Sequence, residues 1–122
     1  MIHWSRRKIM SQDGAEAFLQ RMFVLISKGR RQFIRRTRNG KDYLQMLAEL
    51  GLTSIDAAWE LVLGLEGVHY TSGPDSDYDA GPNGPLVVWT FKMDVNGILT
   101  YIKLKDDTEA RGCVCMSFHQ DE

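Results

Sequence analysis

Apolar residues recur along the chain in two rhythms, and the change from one to the other divides it. Between residues 13 and 65 the spacing is helical. Phe18, Leu19, Met22, Phe23 and Ile26 repeat every three to four positions, which puts them on one helical face. Asp13 with Glu16 reads as a capping box that starts this helix. Lys28-Gly29 reads as its end, because glycine takes the left-handed turn without steric cost. Arg30-Arg31-Gln32-Phe33-Ile34-Arg35-Arg36 sets two apolar residues among charges, the pattern of an edge strand that resists unwanted pairing. A second helix is expected from Asn39, carrying Tyr43, Leu44, Leu47 and Leu50, with Gly51 closing it. Thr53 with Asp56 opens a third after a tight corner, burying Ile55, Ala58, Trp59, Val62 and Leu63.

From residue 86 the period falls to two. Leu86 to Met93 alternates, Asn96-Gly97 is the strongest short hairpin signal, and Ile98 to Lys105 returns. Asp106 to Gly112 is a polar turn, and Cys113 to His119 is a last strand. The stretch from Gly67 to Gly84 shows neither rhythm, and an irregular segment of that length is usually functional or disordered. Helices first and an antiparallel meander second predict an α+β domain, with N-terminal helices on one face of a C-terminal antiparallel sheet.

A two-residue Asn96-Gly97 turn also fixes register. Val95 then faces Ile98, Lys92 faces Tyr101 and Thr90 faces Lys103. Trp89, Phe91, Met93, Ile98, Ile102 and Leu104 fall on one side; Thr90, Lys92, Tyr101, Lys103 and Lys105 fall on the other. In the last strand, simple alternation groups Val114, Met116 and Phe118 as the inward set. Ser117 and His119 then join Tyr101 and Lys103 on the polar face, a patch without a carboxylate. Every half-buried sheet has a polar face, so parity alone also fits a merely solvated surface.

The length of 122 residues suits a single domain over 1–122, with 1–12 as a flexible or atypical extension. No apolar run approaches the roughly 20 residues that span a bilayer. The two cysteines, Cys113 and Cys115, cannot make a disulfide framework, so a cytoplasmic setting is expected and no membrane partner. The net charge of −1 conceals an asymmetry: residues 1–41 carry 11 of the 15 Lys and Arg and 2 of the 16 acids. That half stands at +9 and the remainder at −10. A polyanion-facing segment on an acidic body is one reading; mutual neutralisation within the fold is the other.

The patch chemistry narrows the first reading. Lysine and arginine favour a phosphate and stabilise charge building on it. Imidazole exchanges a proton near neutral pH. RNA supplies its own nucleophile in the 2′-hydroxyl, so in-line attack needs no metal if a group protonates the departing oxygen. His119 is the candidate acid, Tyr101 orients the phosphate or assists proton transfer, and Lys103 steadies its charge. Arg30, Arg31, Arg35, Arg36, Arg38 and Lys92, with the hydroxyls of Thr90 and Ser72, are the candidate RNA contacts. No metal or other cofactor is expected, since a two-metal nuclease wants clustered carboxylates. A zinc site from Cys113, Cys115, His119 and His69 matches no common ligand spacing. A Cys115–His119 nucleophile pair would span roughly 13 Å along one strand.

The order of motifs resembles one family. Phe33-Ile34 is followed by Leu50-Gly51-Leu52, Asp56-Ala57, Leu63-Gly64-Leu65 and Tyr70-Thr71-Ser72-Gly73-Pro74. Val88-Trp89, Tyr101-Ile102-Lys103-Leu104 and Ser117-Phe118-His119 complete it. Over about residues 15–119 the chain resembles the motility quorum-sensing regulator family of type II toxins. The resemblance implies a RelE-like fold and a messenger-RNA endoribonuclease, with a cognate antitoxin and, in some settings, the ribosome as partners. It places the family's active-site tyrosine on Tyr101, its strand lysine on Lys103 and its terminal basic residue on His119, where some members carry lysine. Thr90 stands where members can carry glutamine, and Thr71 where some carry lysine. The rival expectation is a non-catalytic binder of nucleic acid or protein on the same scaffold, such as a phage or prophage protein.

Overall fold

A computed structural model describes the backbone of residues 2–122 and the side chains of residues 11–122. Three helices, α1 (Ile2–Ser27), α2 (Tyr43–Glu49) and α3 (Ile55–Val62), pack on one face of a five-stranded sheet. The strands are β1 (Arg31–Phe33), β2 (Tyr70–Ser76), β3 (Leu86–Val95), β4 (Ile98–Asp107) and β5 (Gly112–Gln120). Their order is β1-β5-β4-β3-β2, antiparallel throughout except that β1 runs parallel to β5. The α+β class and the one-sided helical layer stand as expected; the sheet is mixed because β1, laid down before α2, α3 and the other strands, takes the outer edge beside β5 and runs parallel to it. No helix of the described residues is long and apolar enough to cross a membrane.

The core lies between the helices and one sheet face. Phe18 of α1 stacks on Trp89 at 5.3 Å and on Phe91 at 6.2 Å between ring centroids, which clamps α1 to β3. Leu47 and Leu50, Trp59 and Val62 add α2 and α3 to the same cluster. Phe33 is half-buried at its edge, against Tyr43, Trp59 and Phe118.

Several local expectations are corrected. First, α1 does not begin at Asp13: the helix runs from Ile2 through the expected extension, and Asp13 is an exposed residue within it. Glu16, freed from capping, accepts a hydrogen bond from the Gly67 amide at 2.5 Å. His3 and the bases Arg6, Arg7 and Lys8 lie outside the described side chains. Second, Asn39 does not start α2. Asn39 and Gly40 both have positive φ, 53° and 78°, and close a turn in which Arg38 and Lys41 exchange backbone hydrogen bonds. Asp42 is the cap, in a box with Gln45. Ser54, not Thr53, caps α3 through the Ala57 amide.

Third, the irregular stretch contains β2. Its pairing with β3 shifts register three times, which is why no period-two pattern marks it. Gly73 is required there: its φ is +116°, and a Cβ would lie 2.7 Å from the Val88 carbonyl oxygen. Fourth, β5 is bulged. Lys103 pairs with Ser117 but Leu104 pairs with Cys115, so Met116 is the extra residue. Parity reverses across it. Cys113 and Cys115 join the helix-covered core, and Val114 turns to the opposite face. Cysteine is among the most readily buried residues, so the exchange costs little.

Candidate functional site

The face turned away from the helices carries two polar rows. In register, Lys92, Tyr101 and His119 form one, and Thr90, Lys103 and Ser117 form the next. The Asn96-Gly97 hairpin sets the β3–β4 half and the pairing of β4 with β5 completes it, so Tyr101, Lys103 and His119 share one face as expected. All three line one concavity, together with Arg38, Ser117, Asp121 and Glu122.

His119 is 9% exposed, and its ring stacks on Tyr101 with centroids 5.2 Å apart and planes 15° from parallel. Its Nδ1 lies 2.8 Å from the Gln120 carbonyl oxygen. A carbonyl only accepts, so Nδ1 carries hydrogen in that bond, and Nε2 is left as the nitrogen that can exchange a proton.

The expected RNA contacts do not all gather here. Arg36 and Arg38 do: Arg36 meets Lys103 and Ser117 in an adjoining hollow, and Arg38 lines the concavity itself. The other three face elsewhere. Arg31 shares the parity of Phe33, so it points to the helical side, over the Trp59 ring at 5.7 Å and within 3.4 Å of Asp56. Arg35 covers the Tyr43 ring at 5.6 Å. Arg30 donates to the Thr108 carbonyl at 2.6 Å, beside the β4–β5 turn. Lys92 sits opposite Tyr101 and is bonded to Asp121 at 3.1 Å. Thr90 is buried between Ser72 and Lys103, whereas Ser72 is exposed on the edge strand. Among the described residues, Arg36 and Lys103 are in no ion pair, which leaves both charges available to an anion.

The expectation of a patch without carboxylates is corrected. Asp121 and Glu122 border it, with Glu122 3.8 Å from Arg38. At the other end Asp77 bonds Lys105 at 2.5 Å, and that hydrogen bond holds the Asp77 carboxyl below its usual range against the opposing effect of burial. Lys105 lies in register between Val88 and Val114, so the turn beginning at Asp77 covers that end of the face. Asp121 continues the parity of Ser117 and His119 past the end of the expected strand, whereas Asp77 precedes β3 and only the folded chain carries it to the patch.

The cysteines do not join this site. The bulge puts Cys113 and Cys115 on the opposite side of the sheet from His119, and burial pushes the Cys113 thiol up to about 12 and Cys115 higher still. His69 accepts from the Glu66 amide through Nδ1. Among the described residues no cluster of His, Cys, Asp or Glu is arranged to hold a metal.

The fold and site together define an α+β domain that presents a stacked phenol and imidazole beside unpaired cations. Compared with protein-family models, curated proteins and solved structures, the chain matches none of them.

Proposed function

We propose that the chain is a metal-independent endoribonuclease that cleaves messenger RNA, the toxin of a bacterial type II toxin–antitoxin pair. The observation that carries this reading is the Tyr101–His119 stack, with Lys103 and Ser117 in the adjacent row. In this mechanism Lys103 and Arg36 hold the scissile phosphate and offset the charge that grows on its oxygens. The 2′-oxygen attacks phosphorus in line and its proton passes to the Asp121 carboxylate, which lines the same concavity. The bond from phosphorus to the 5′-oxygen breaks, and that oxygen takes the proton from Nε2 of protonated His119. The products are a 2′,3′-cyclic phosphate and a 5′-hydroxyl. Tyr101 fixes the imidazole plane and donates its hydroxyl to the phosphate. The family resemblance and the basic first third of the chain support RNA as the polyanion. Antitoxin and ribosome remain partners implied by that resemblance alone.

Three ion pairs favour a second reading, a binder that does not cut. Lys92–Asp121, Arg38–Glu122 and Lys105–Asp77 neutralise part of the positive charge on this face. Induction of the protein in a bacterial host separates the two. A nuclease toxin arrests growth and degrades transcripts, and a Tyr101→Ala, His119→Ala double variant restores both. Equal inhibition by wild type and double variant removes the catalytic assignment.

A further inference from the structure

The chain leaves β5 soon after β1 ends. The Ile34 amide donates to the Cys115 carbonyl at 3.0 Å, and the pairing of β1 with β5 stops there. Beyond that point Met116 bulges, and residues 36–38 diverge towards the Asn39-Gly40 turn. The gap between this segment, α2 and the end of β5 is a cavity of about 160 Å³. Rings and thioethers make up much of its apolar wall: Phe33 lies 6.4 Å from both Tyr43 and Phe118 between centroids, Met46 and Met116 close the sides, and Ile34 and Thr37 complete the strand side. Arg36 lines it too, as do three residues of the polar concavity next door, Arg38, Ser117 and His119. One imidazole is therefore a wall common to both spaces.

We infer that this cavity receives one nucleobase of an RNA whose adjoining phosphate rests on the Lys103–His119 patch; the inference rests on the RNA-binding part of the reading above. At about 160 Å³ it is smaller than the roughly 300–1,000 Å³ of pockets for drug-sized ligands, and it suits a single flat heterocycle. Aromatic and sulfur walls bind the face and edge of a base without requiring a particular one. Guanidinium groups among those walls favour the charged backbone that brings the base there. A base and its own phosphate are separated by one sugar, and two spaces that share a wall meet that constraint. Turning the base out costs least in a single strand, where no pairing is lost. The site thus selects unpaired RNA and places a base on one side of His119 and a phosphate on the other.

The test uses the 122-residue protein labelled with 13C at its methionine methyls and an uncleavable 2′-O-methyl RNA tetranucleotide, with an abasic tetranucleotide of the same backbone as control. Met46→Leu and Met116→Leu assign the two resonances. Both methyls should shift with the base-bearing strand and stay still with the abasic one, while Met22, buried in the core on α1, moves with neither. Met46→Phe, which fills the cavity, should weaken binding of the base-bearing strand about tenfold, the scale of one lost stacking contact, and leave the abasic strand unchanged. Binding of the base-bearing strand with both methyls unmoved overturns the cavity assignment but not the phosphate patch. No binding of either strand overturns both. Methyl shifts in a protein that never cuts unmodified RNA keep the cavity and remove the nuclease.

Discussion

The rings of Tyr101 and His119 lie face to face, 5.2 Å between centroids and 15° from parallel, as direct cross-strand partners on β4 and β5. Each restricts the other, and the Gln120 carbonyl takes Nδ1 out of play. In the proposed reaction Tyr101 therefore acts on the orientation of the acid as well as through its hydroxyl. Tyr101→Phe keeps the stack and should lower RNA cleavage about tenfold. Tyr101→Ala removes it and should cost about a hundredfold, near the lower end of what positioned proton transfer contributes. Single-turnover cleavage of a labelled oligonucleotide measures both; equal losses would leave the stack without a role.

The arginines divide by direction. Arg36 and Arg38 face the patch, whereas Arg31 is committed to Trp59 and Asp56 on the helical side. Arg36→Ala and Arg38→Ala should each flatten the dependence of log K on log salt by about 0.7 for single-stranded RNA, one phosphate contact apiece. Arg31→Ala should leave that slope unchanged. Fluorescence anisotropy across a salt series distinguishes them.

Gly112 sits where β1 meets β5 with φ +85°, and a Cβ there would fall 2.1 Å from the Arg30 carbonyl oxygen. Gly112→Ala should therefore push β1 off the sheet edge, at a cost of about 1–3 kcal/mol. Thermal unfolding should show a midpoint lower by about 5–10 °C. Because β1 leads into Arg36 and Arg38, weaker RNA binding should accompany the loss.

Asp77 makes the fold sensitive to acid. Its carboxyl lies below the ordinary 3.8 because Lys105 donates to it. A carboxyl depressed in the folded state adds stability that is present above its unfolded value and is lost as the pH falls through its folded value. Asp107, lowered by Arg111, acts in the same direction. Urea titrations should thus show wild type more stable than Asp77→Asn at pH 5–7, with the gap closing below about 3.8. A gap that does not narrow at all between pH 5 and the lowest pH at which both proteins stay folded would mean that the Lys105 bond is not its source.

Several of these features were legible in the sequence and others were not, for physical reasons. Asn96-Gly97 imposed one turn geometry, so every pair from Val88–Lys105 to Val95–Ile98 follows from alternation. Asn39-Gly40 carries the same signal but stands before apolar residues at helical spacing, so a turn that leads into a helix has the pattern of the helix itself. The Met116 bulge adds one residue without any glycine to mark it, and it reverses the faces of Cys113 and Val114. Asp77 reaches the patch through a tertiary contact, which no local spacing encodes, whereas Asp121 continues the parity of Ser117 and His119 just past the residues that alternation marks as strand. The polar rows were readable because hairpin register sets their β3–β4 half, and Ser117 and His119 pair with β4 beyond the bulge, where alternation still holds. The aromatic cavity was not, because it opens where two strands part.

In the proposed reaction His119 and Lys103 drive attack by the 2′-hydroxyl without a metal. The most direct measurement is incubation of a single-stranded RNA oligonucleotide with purified protein in excess EDTA, with mass spectrometry of the ends. Wild type should yield fragments with 2′,3′-cyclic phosphate and 5′-hydroxyl termini, and His119→Ala should yield at least a hundredfold less, a loss on the scale of a missing general acid. Intact RNA in the wild-type reaction, or cleavage that continues undiminished in His119→Ala, would contradict the account.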